Sequence, residues 1–202
     1  MIFTPEIIFV LLAVSKNRSD EETDLAIKIR HGDHGAFKSF FDAHFESLYR
    51  FLRSKGLSHD EAEDLIQKAF VIIWDKRDGI DETKSLRAYL FRIAYTRMLN
   101  YLSYESKFND EGDSFTDMQG EATENELQHS ELLRHIHSIV NKMPEKRGIV
   151  FQLCFMQQLT YKETAEALDV SPKTVENHMA LAFKDLRSAL IRIYGEEILN
   201  VL

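Results

Sequence analysis

Cysteine is nearly absent from this 202-residue chain. The one cysteine, Cys154, has no partner for an intrachain disulfide and cannot build a thiolate metal cage. It lies in the apolar run Val150-Phe151-Gln152-Leu153-Cys154-Phe155, so a reduced core residue in a cytoplasmic protein is expected. Proline is almost as scarce: only Pro5, Pro144 and Pro172 occur, and no proline interrupts the chain between the first two. Long apolar runs are missing as well. Ile7 to Val14 offers eight apolar residues, about 12 Å as a helix against a hydrocarbon core of about 30 Å, which is too short to span a membrane. No basic residue precedes that run, which argues against a signal peptide. Residues 1–20 read as an extension that is either a short docking helix or the product of a start codon placed too far upstream. Basic charge is also in deficit, with 25 Lys and Arg against 33 Asp and Glu for a net charge of -8.

That deficit is local. Glu105 to Glu131 holds nine acidic residues and one basic one, Lys107, so this stretch alone carries -8 and the rest of the chain sums to zero. Hydrophobic residues make up 44%, enough to build a folded core and too many for wholesale disorder. Apolar spacings of three and four recur while strand-type alternation is scarce, so the fold class is all-α. The expected architecture is two small helical domains joined by an acidic flexible linker, the second domain carrying a helix-turn-helix.

The first module spans 21–104. Thr23 to Arg30 begins as a helix and breaks at Gly32-Asp33-His34-Gly35. The next helix places Phe37, Phe40, Phe41, His44/Phe45, Leu48 and Leu52 on one face and stops at Gly56. Ser58 to Glu61 has the spacing of a capping box. Behind it, Ala62, Leu65, Ile66, Ala69, Phe70 and Ile73 keep the helical rhythm through Trp74. A polar loop, Asp78 to Lys84, leads to a helix from about Ser85 to Tyr104. Residues 105–128 show no helical face, two glycines and heavy negative charge, the composition of a mobile linker. The second domain spans 129–202, with helices around Leu132 to Lys142, Glu145 to Gln157, Tyr161 to Leu168 and Pro172 to Tyr194.

The last two of these form a helix-turn-helix pattern. Ala165 and Leu168 face inward, Asp169-Val170 makes the tight turn, Ser171 caps the second helix and Pro172 takes its first position, where a missing N–H costs nothing. Val175, Met179, Ala182 and Leu186 form the buried stripe. The opposite face presents Lys173, Thr174, Glu176, Asn177 and His178, with Lys184 further along, as expected of a recognition helix entering the major groove. Asn177 has the geometry to pair with adenine.

A second nucleic-acid signature lies between Lys84 and Tyr104. Lys84, Arg87, Arg92 and Arg97 occur there with no acidic residue, interleaved with Tyr89, Phe91, Tyr95, Tyr101 and Tyr104. Basic side chains track a phosphate backbone and aromatic faces stack on unpaired bases, a combination suited to single-stranded or melted DNA. Leu86, Leu90, Ile93 and some of the aromatics are equally readable as core.

Enzyme chemistry is not signalled. His31-x-x-His34 sits at a helix break, and His135-x-His137 separates its rings by about 200° on a helix, so neither pair suits a metal. No Gly-rich phosphate loop, nucleophile motif or paired-carboxylate arrangement occurs. No cofactor, small-molecule substrate or catalytic residue is expected.

Several motifs together resemble a known family. Gly32-Asp33-x-x-Ala36-Phe37, Ala62-Glu63-Asp64-Leu65-Ile66-Gln67-x-x-Phe70-x-x-x-Trp74 and Ala88-Tyr89-Leu90-Phe91-Arg92-Ile93-Ala94 resemble the first conserved module of extracytoplasmic-function (group 4) bacterial sigma factors of the sigma-70 family. Met143-Pro144-Glu145-Lys146-Arg147, Leu159-Thr160-Tyr161-Lys162-Glu163-x-Ala165 and Ser171-x-x-Thr174-Val175 resemble the second. The resemblance covers about 21–104 and 130–190, in the family's order and spacing. It implies that the helix Glu61 to Asp75 docks on core RNA polymerase through Asp64, Gln67 and Lys68. It further implies that the loop Asp78 to Lys84 captures a flipped base of the −10 element. The helix after Ser85 then holds the opened strand, and the helix-turn-helix reads the −35 element of promoter DNA. The acidic linker would thread the polymerase's basic channel, standing in for phosphates, and the resemblance implies an anti-sigma factor as a further partner.

The chain departs from the family pattern at several positions. Thr96 follows where Asn is frequent, Ser103 stands where Arg often follows Asn100-Tyr101-Leu102, and Glu176 and His178 occupy positions where arginine is common. The lowered positive charge predicts weak DNA affinity for the protein alone and reliance on polymerase. Ser171 to His178 also looks like the recognition helix of LuxR-type regulators, but that reading leaves the motifs of the first module unexplained.

Overall fold

A computed structural model describes residues 20–108 and 124–196, and all regular structure among the described residues is helical. The N-terminal extension and the centre of the acidic segment, 109–123, lie outside the described residues. The described residues before that segment belong to one compact unit, and most of those after it to another.

In the first unit, α1 (Asp20–Arg30) ends at Gly32, whose φ of 81° is a backbone conformation that side chains other than glycine's resist. Asp33 then caps α2 (His34–Arg53), its carboxylate accepting from the Ala36 N–H at 2.9 Å. That hydrogen bond holds the Asp33 carboxyl below its usual range. The break is shorter than the sequence implied, because Gly35 already lies within the first turn of α2. The aromatic face of α2 also divides differently. Ala36, Phe40, Leu48, Phe51 and Leu52 are buried, while Phe37, Phe41, Phe45 and Tyr49 form a half-exposed ladder one position along. Their rings meet in sequence, Phe41 to Phe45 at 5.3 Å and Phe45 to Tyr49 at 6.2 Å. Phe41 also touches Phe70, and Phe37 touches Trp74.

Helix α3 (His59–Asp75) begins with the expected capping box: the Glu61 N–H donates to Ser58 Oγ at 3.4 Å and the Ser58 N–H to Glu61 Oε2 at 2.6 Å. All six stripe residues, Ala62, Leu65, Ile66, Ala69, Phe70 and Ile73, are buried. A 3-10 turn over Arg77–Gly79 leads through the loop to α4 (Leu86–Phe108). Ser85 caps α4, its hydroxyl accepting from the Ala88 N–H at 3.2 Å. Helix α3 packs against both α2 and α4. It is also tied to α4 by a hydrogen bond from the Tyr101 hydroxyl to Glu61 Oε1. Burial pushes the Glu61 carboxyl up, but the bonds from Tyr101 and Ser58 outweigh it and the net shift is downward.

The second unit contains α5 (Glu124–Asn141), α6 (Glu145–Phe151), α7 (Tyr161–Leu168) and α8 (Pro172–Tyr194). Both α4 and α5 extend a turn into the stretch the sequence assigned to the linker. Helices α5 and α6 pack on α8. A Cβ added at Gly148 would lie 3.1 Å from the Val140 carbonyl oxygen, so the close approach of α5 and α6 depends on glycine there. The expected helix to Gln157 instead widens after Phe151 into a π-helical turn, Gln152–Met156, in which the Gln157 N–H reaches the Gln152 carbonyl at 2.9 Å. Arg147 bridges α6 and α8 through an ion pair with Asp185. Cys154 is fully buried with its sulfur 3.2 Å from the Thr164 hydroxyl, and burial pushes its thiol up to about 11.

Candidate nucleic-acid interface

The helix-turn-helix is fixed by local hydrogen bonds. A capping box not anticipated from the sequence opens α7: the Thr160 N–H donates to Glu163 Oε2 at 2.8 Å, and the Glu163 N–H to Thr160 Oγ1 at 3.1 Å. Thr164, Ala165 and Ala167 are buried, whereas Leu168, expected inside, is half-buried. The turn holds Asp169 at a φ of 56°, and the Val170 N–H returns to the Ala165 carbonyl at 3.0 Å. Ser171 then accepts from the Thr174 N–H at 3.1 Å, and its hydroxyl is 2.9 Å from that of Thr174. Val175, Met179, Ala182 and Leu186 are all buried, as their spacing required.

The outer face of α8 is therefore set. Lys173, Glu176, Asn177 and Lys184 are exposed. At 100° per residue, Lys173, Asn177, Ala180 and Lys184 fall on one line, with Glu176 and Arg187 on one flank and Leu181, 43% exposed, on the other. Lys173 Nζ pairs with Glu176 Oε2 at 2.8 Å. Two of the named residues differ from the rest. Thr174 is half-buried with its hydroxyl at the cap, and His178 is half-buried with Nδ1 shielded and without a hydrogen-bond partner. Ala180, Leu181 and Arg187 were missed by the sequence reading, although continuing the 3-4 spacing from Lys173 would have found them.

On α4 the basic and aromatic residues separate. Arg92 and Thr96 are exposed on one line with half-buried Tyr89, while Arg87, half-buried with its Nε shielded, lies on another side of the helix. Phe91 is core, meeting Phe51 edge-on at 5.7 Å. Tyr101 is bound to Glu61, and Tyr104 is 61% exposed. Leu99 and Leu102 add exposed apolar surface to the C-terminal half. The loop before α4 is ordered by its own contacts. Asp81 Oδ1 accepts from the Thr83 N–H at 3.0 Å and its hydroxyl at 2.6 Å, and Ile80 is buried. Glu82 pairs with Arg30 of α1 at 2.8 Å. Lys84 is exposed, its Nζ 3.8 Å from Asp81.

A third surface lies on α3. Asp64, Gln67 and Lys68 are all exposed, and Lys68 pairs with Asp64 at 2.6 Å. Val71, 56% exposed, and Asp75 continue the same face and were not singled out from the sequence. Among the described residues no group of three His, Cys, Asp or Glu side chains could hold a metal ion, and no helix is long and apolar enough to cross a membrane.

Known proteins match both units. The model for sigma-70 region 2 matches residues 40–108 and that for sigma-70 region 4 matches residues 133–186. RNA polymerase sigma factor NccH of Alcaligenes xylosoxydans xylosoxydans is 26% identical over 174 residues, covering 82% of this chain and 92% of that protein. The ECF sigma factor SigW of Bacillus subtilis (strain 168) is 25% identical over 175 residues, covering 81% and 93%. In fold, the chain is similar to CnrH, a sigma factor of Cupriavidus metallidurans, solved in complex with the cytosolic domain of CnrY. The TM-score is 0.64 at 24% identity, over 87% of this chain and 99% of that one. It is also similar to RpoE of Bartonella quintana, solved with the anti-sigma factor NepR, with a TM-score of 0.59 at 19% identity over 76% and 96%. With both regions present in order and NccH and SigW matched over 92% and 93% of their length, the chain belongs to the extracytoplasmic-function sigma factors of the sigma-70 family.

Proposed function

We propose that this protein, a sigma factor directing promoter recognition and transcription initiation, divides that work among three of its surfaces. The face of α3 carrying Asp64, Gln67 and Lys68, with Val71 as its apolar centre, docks on core RNA polymerase. The loop Asp78 to Lys84 takes a flipped base of the −10 element, and Lys84, Tyr89, Arg92 and Thr96 hold the opened strand. Arg87 contributes from the side of α4, as a phosphate contact next to the loop. The outer face of α8 reads the −35 element through Lys173, Glu176, Asn177 and Lys184. Thr174 supports that face as part of the cap, and His178 flanks it.

The observation carrying this reading is the presence of both regions in one chain. A stand-alone LuxR-type regulator accounts for the second unit and leaves the first without a purpose. The domain division 1–20, 21–104, 105–128 and 129–202 follows the same logic, the acidic linker giving each DNA-directed unit its own site on a large partner. A cytoplasmic location, an anti-sigma factor as regulator and the absence of a catalytic role belong to this reading too. The relatives CnrH and RpoE, solved with CnrY and NepR, support the regulator.

Run-off transcription with purified core polymerase, with and without the protein, on genomic fragments tests the proposal. Discrete new transcripts are expected. A sequence-specific shift of duplex DNA by the protein alone, with no polymerase-dependent product, would overturn it in favour of the stand-alone regulator.

A further inference from the structure

The outer face of α8 carries an acidic residue where the surrounding DNA would be polyanionic, and this is its least expected feature. Glu176 is 56% exposed at its side chain, in the second turn of the recognition helix, one residue before Asn177. Its partner in the free protein is Lys173, 70% exposed, so the first two turns of α8 present one cation cancelled by one anion. The next cations on the outer face, Lys184 and Arg187, lie more than a turn further on. A carboxylate carried into the major groove is repelled by phosphates unless it accepts a hydrogen bond there. The groove offers two exocyclic amine donors, adenine N6 and cytosine N4. Adenine's adjacent donor and acceptor suit the amide of Asn177, whereas an acceptor-only carboxylate suits cytosine N4. Ala180, exposed between Asn177 and Lys184, leaves no side chain to hold the helix away from the base edges.

We propose that Glu176 makes this protein's −35 element depend on a cytosine, read by its carboxylate at a base pair next to the adenine taken by Asn177. Lys173 is the counter-ion that neutralises Glu176 before binding and passes to a phosphate or a guanine edge when Glu176 engages the base. This assignment rests on the −35 role of α8 proposed above.

The test is transcription by core polymerase plus the full-length protein from a promoter library randomised in the −35 element, with the transcripts sequenced. The wild type is expected to favour cytosine at one position by about tenfold. Glu176→Gln, whose amide matches adenine, is expected to move that preference from cytosine to adenine. Glu176→Ala is expected to erase preference at that position alone while leaving the Asn177-dependent adenine intact. Glu176 is exposed, and melting temperature checks that the variants fold. If Glu176→Gln and Glu176→Ala raise transcription from all library members equally with no change of base preference, Glu176 is a charge brake and the assignment is wrong. A wild-type element without a cytosine overturns the assignment but leaves the sigma role standing. A wild type that yields no polymerase-dependent transcripts removes the sigma role itself.

Discussion

The two helices proposed to face DNA are of equal length, and they are built on opposite electrical plans. Helices α4 and α8 both span 23 residues. From Leu86 to Tyr104, α4 contains no acidic residue and exposes Arg92 beside Thr96. By contrast, α8 cancels its first cation internally, Lys173 against Glu176. A single strand pulled from a duplex offers phosphates and ring faces without a fixed hydrogen-bond pattern, so uncompensated charge and aromatic surface suit it. A closed major groove offers a pattern of donors and acceptors, and reading it depends on polar groups held in register more than on net charge. The difference also shows how each helix is secured. The buried stripe of α8 is aliphatic and continuous, whereas α4 spends part of its aromatic content on the core.

That last contrast is the easiest to break. Replacing Phe91 with Ala removes a fully buried ring packed on Phe51 and is expected to cost the first unit about 3–5 kcal/mol in chemical denaturation. Tyr104→Ala, on the same helix but exposed, is expected to stay within about 0.5 kcal/mol. Equal losses would mean the aromatics of α4 are not divided between core and surface. Next in size, Asn177→Ala is expected to weaken use of the −35 element by about 1–3 kcal/mol and relax preference at one base pair. Unchanged promoter choice would remove Asn177 from the reading set. Arg92→Ala is expected to lower open-complex formation about tenfold, a loss of one charge-assisted contact, while closed-complex binding changes less. Permanganate footprinting separates the two steps, and equal losses at both would erase the distinction drawn between α4 and α8.

Ser58→Ala is expected to cost about 1 kcal/mol by removing the N-cap of α3, measured by thermal melting. The smallest effect concerns acid. Glu61 titrates below its usual range in the folded protein, so its contribution to stability is complete above the unfolded value and fades as pH falls through the folded one. Glu61→Gln is expected to flatten that part of the melting profile, and an unchanged profile would show that Glu61 is not linked to folding.

Features governed by neighbours in sequence were legible in advance. The Ser58 capping box, the Ser171 cap with Pro172, and the stripes Ala62 to Ile73 and Val175 to Leu186 depend on spacings of three and four, and the structure bears each out. What stayed hidden depends on contacts across the fold. Nothing local marks Phe91 as core and Tyr104 as exposed, because both lie in the same basic aromatic run. Tyr101 and Glu61 are 40 residues apart, and Arg30 and Glu82 are 52 apart. The spacing puts Phe37, Phe41 and Phe45 on one face with Phe40 and Leu48, because the half-exposed ladder and the buried stripe of α2 are only one position apart. The π-helical turn after Phe151 likewise answers to no spacing rule.

One carboxylate joins two of the surfaces described above. Glu61 closes the start of α3 with one oxygen and receives the Tyr101 hydroxyl of α4 with the other. The helix assigned to the polymerase and the helix assigned to the opened strand are thereby riveted at a single residue. Their angle is a property of the folded unit, set before either partner arrives. On the proposed assignment, the protein brings to polymerase a ready-made jig, in which the pose taken on the enzyme dictates where the unpaired strand must lie.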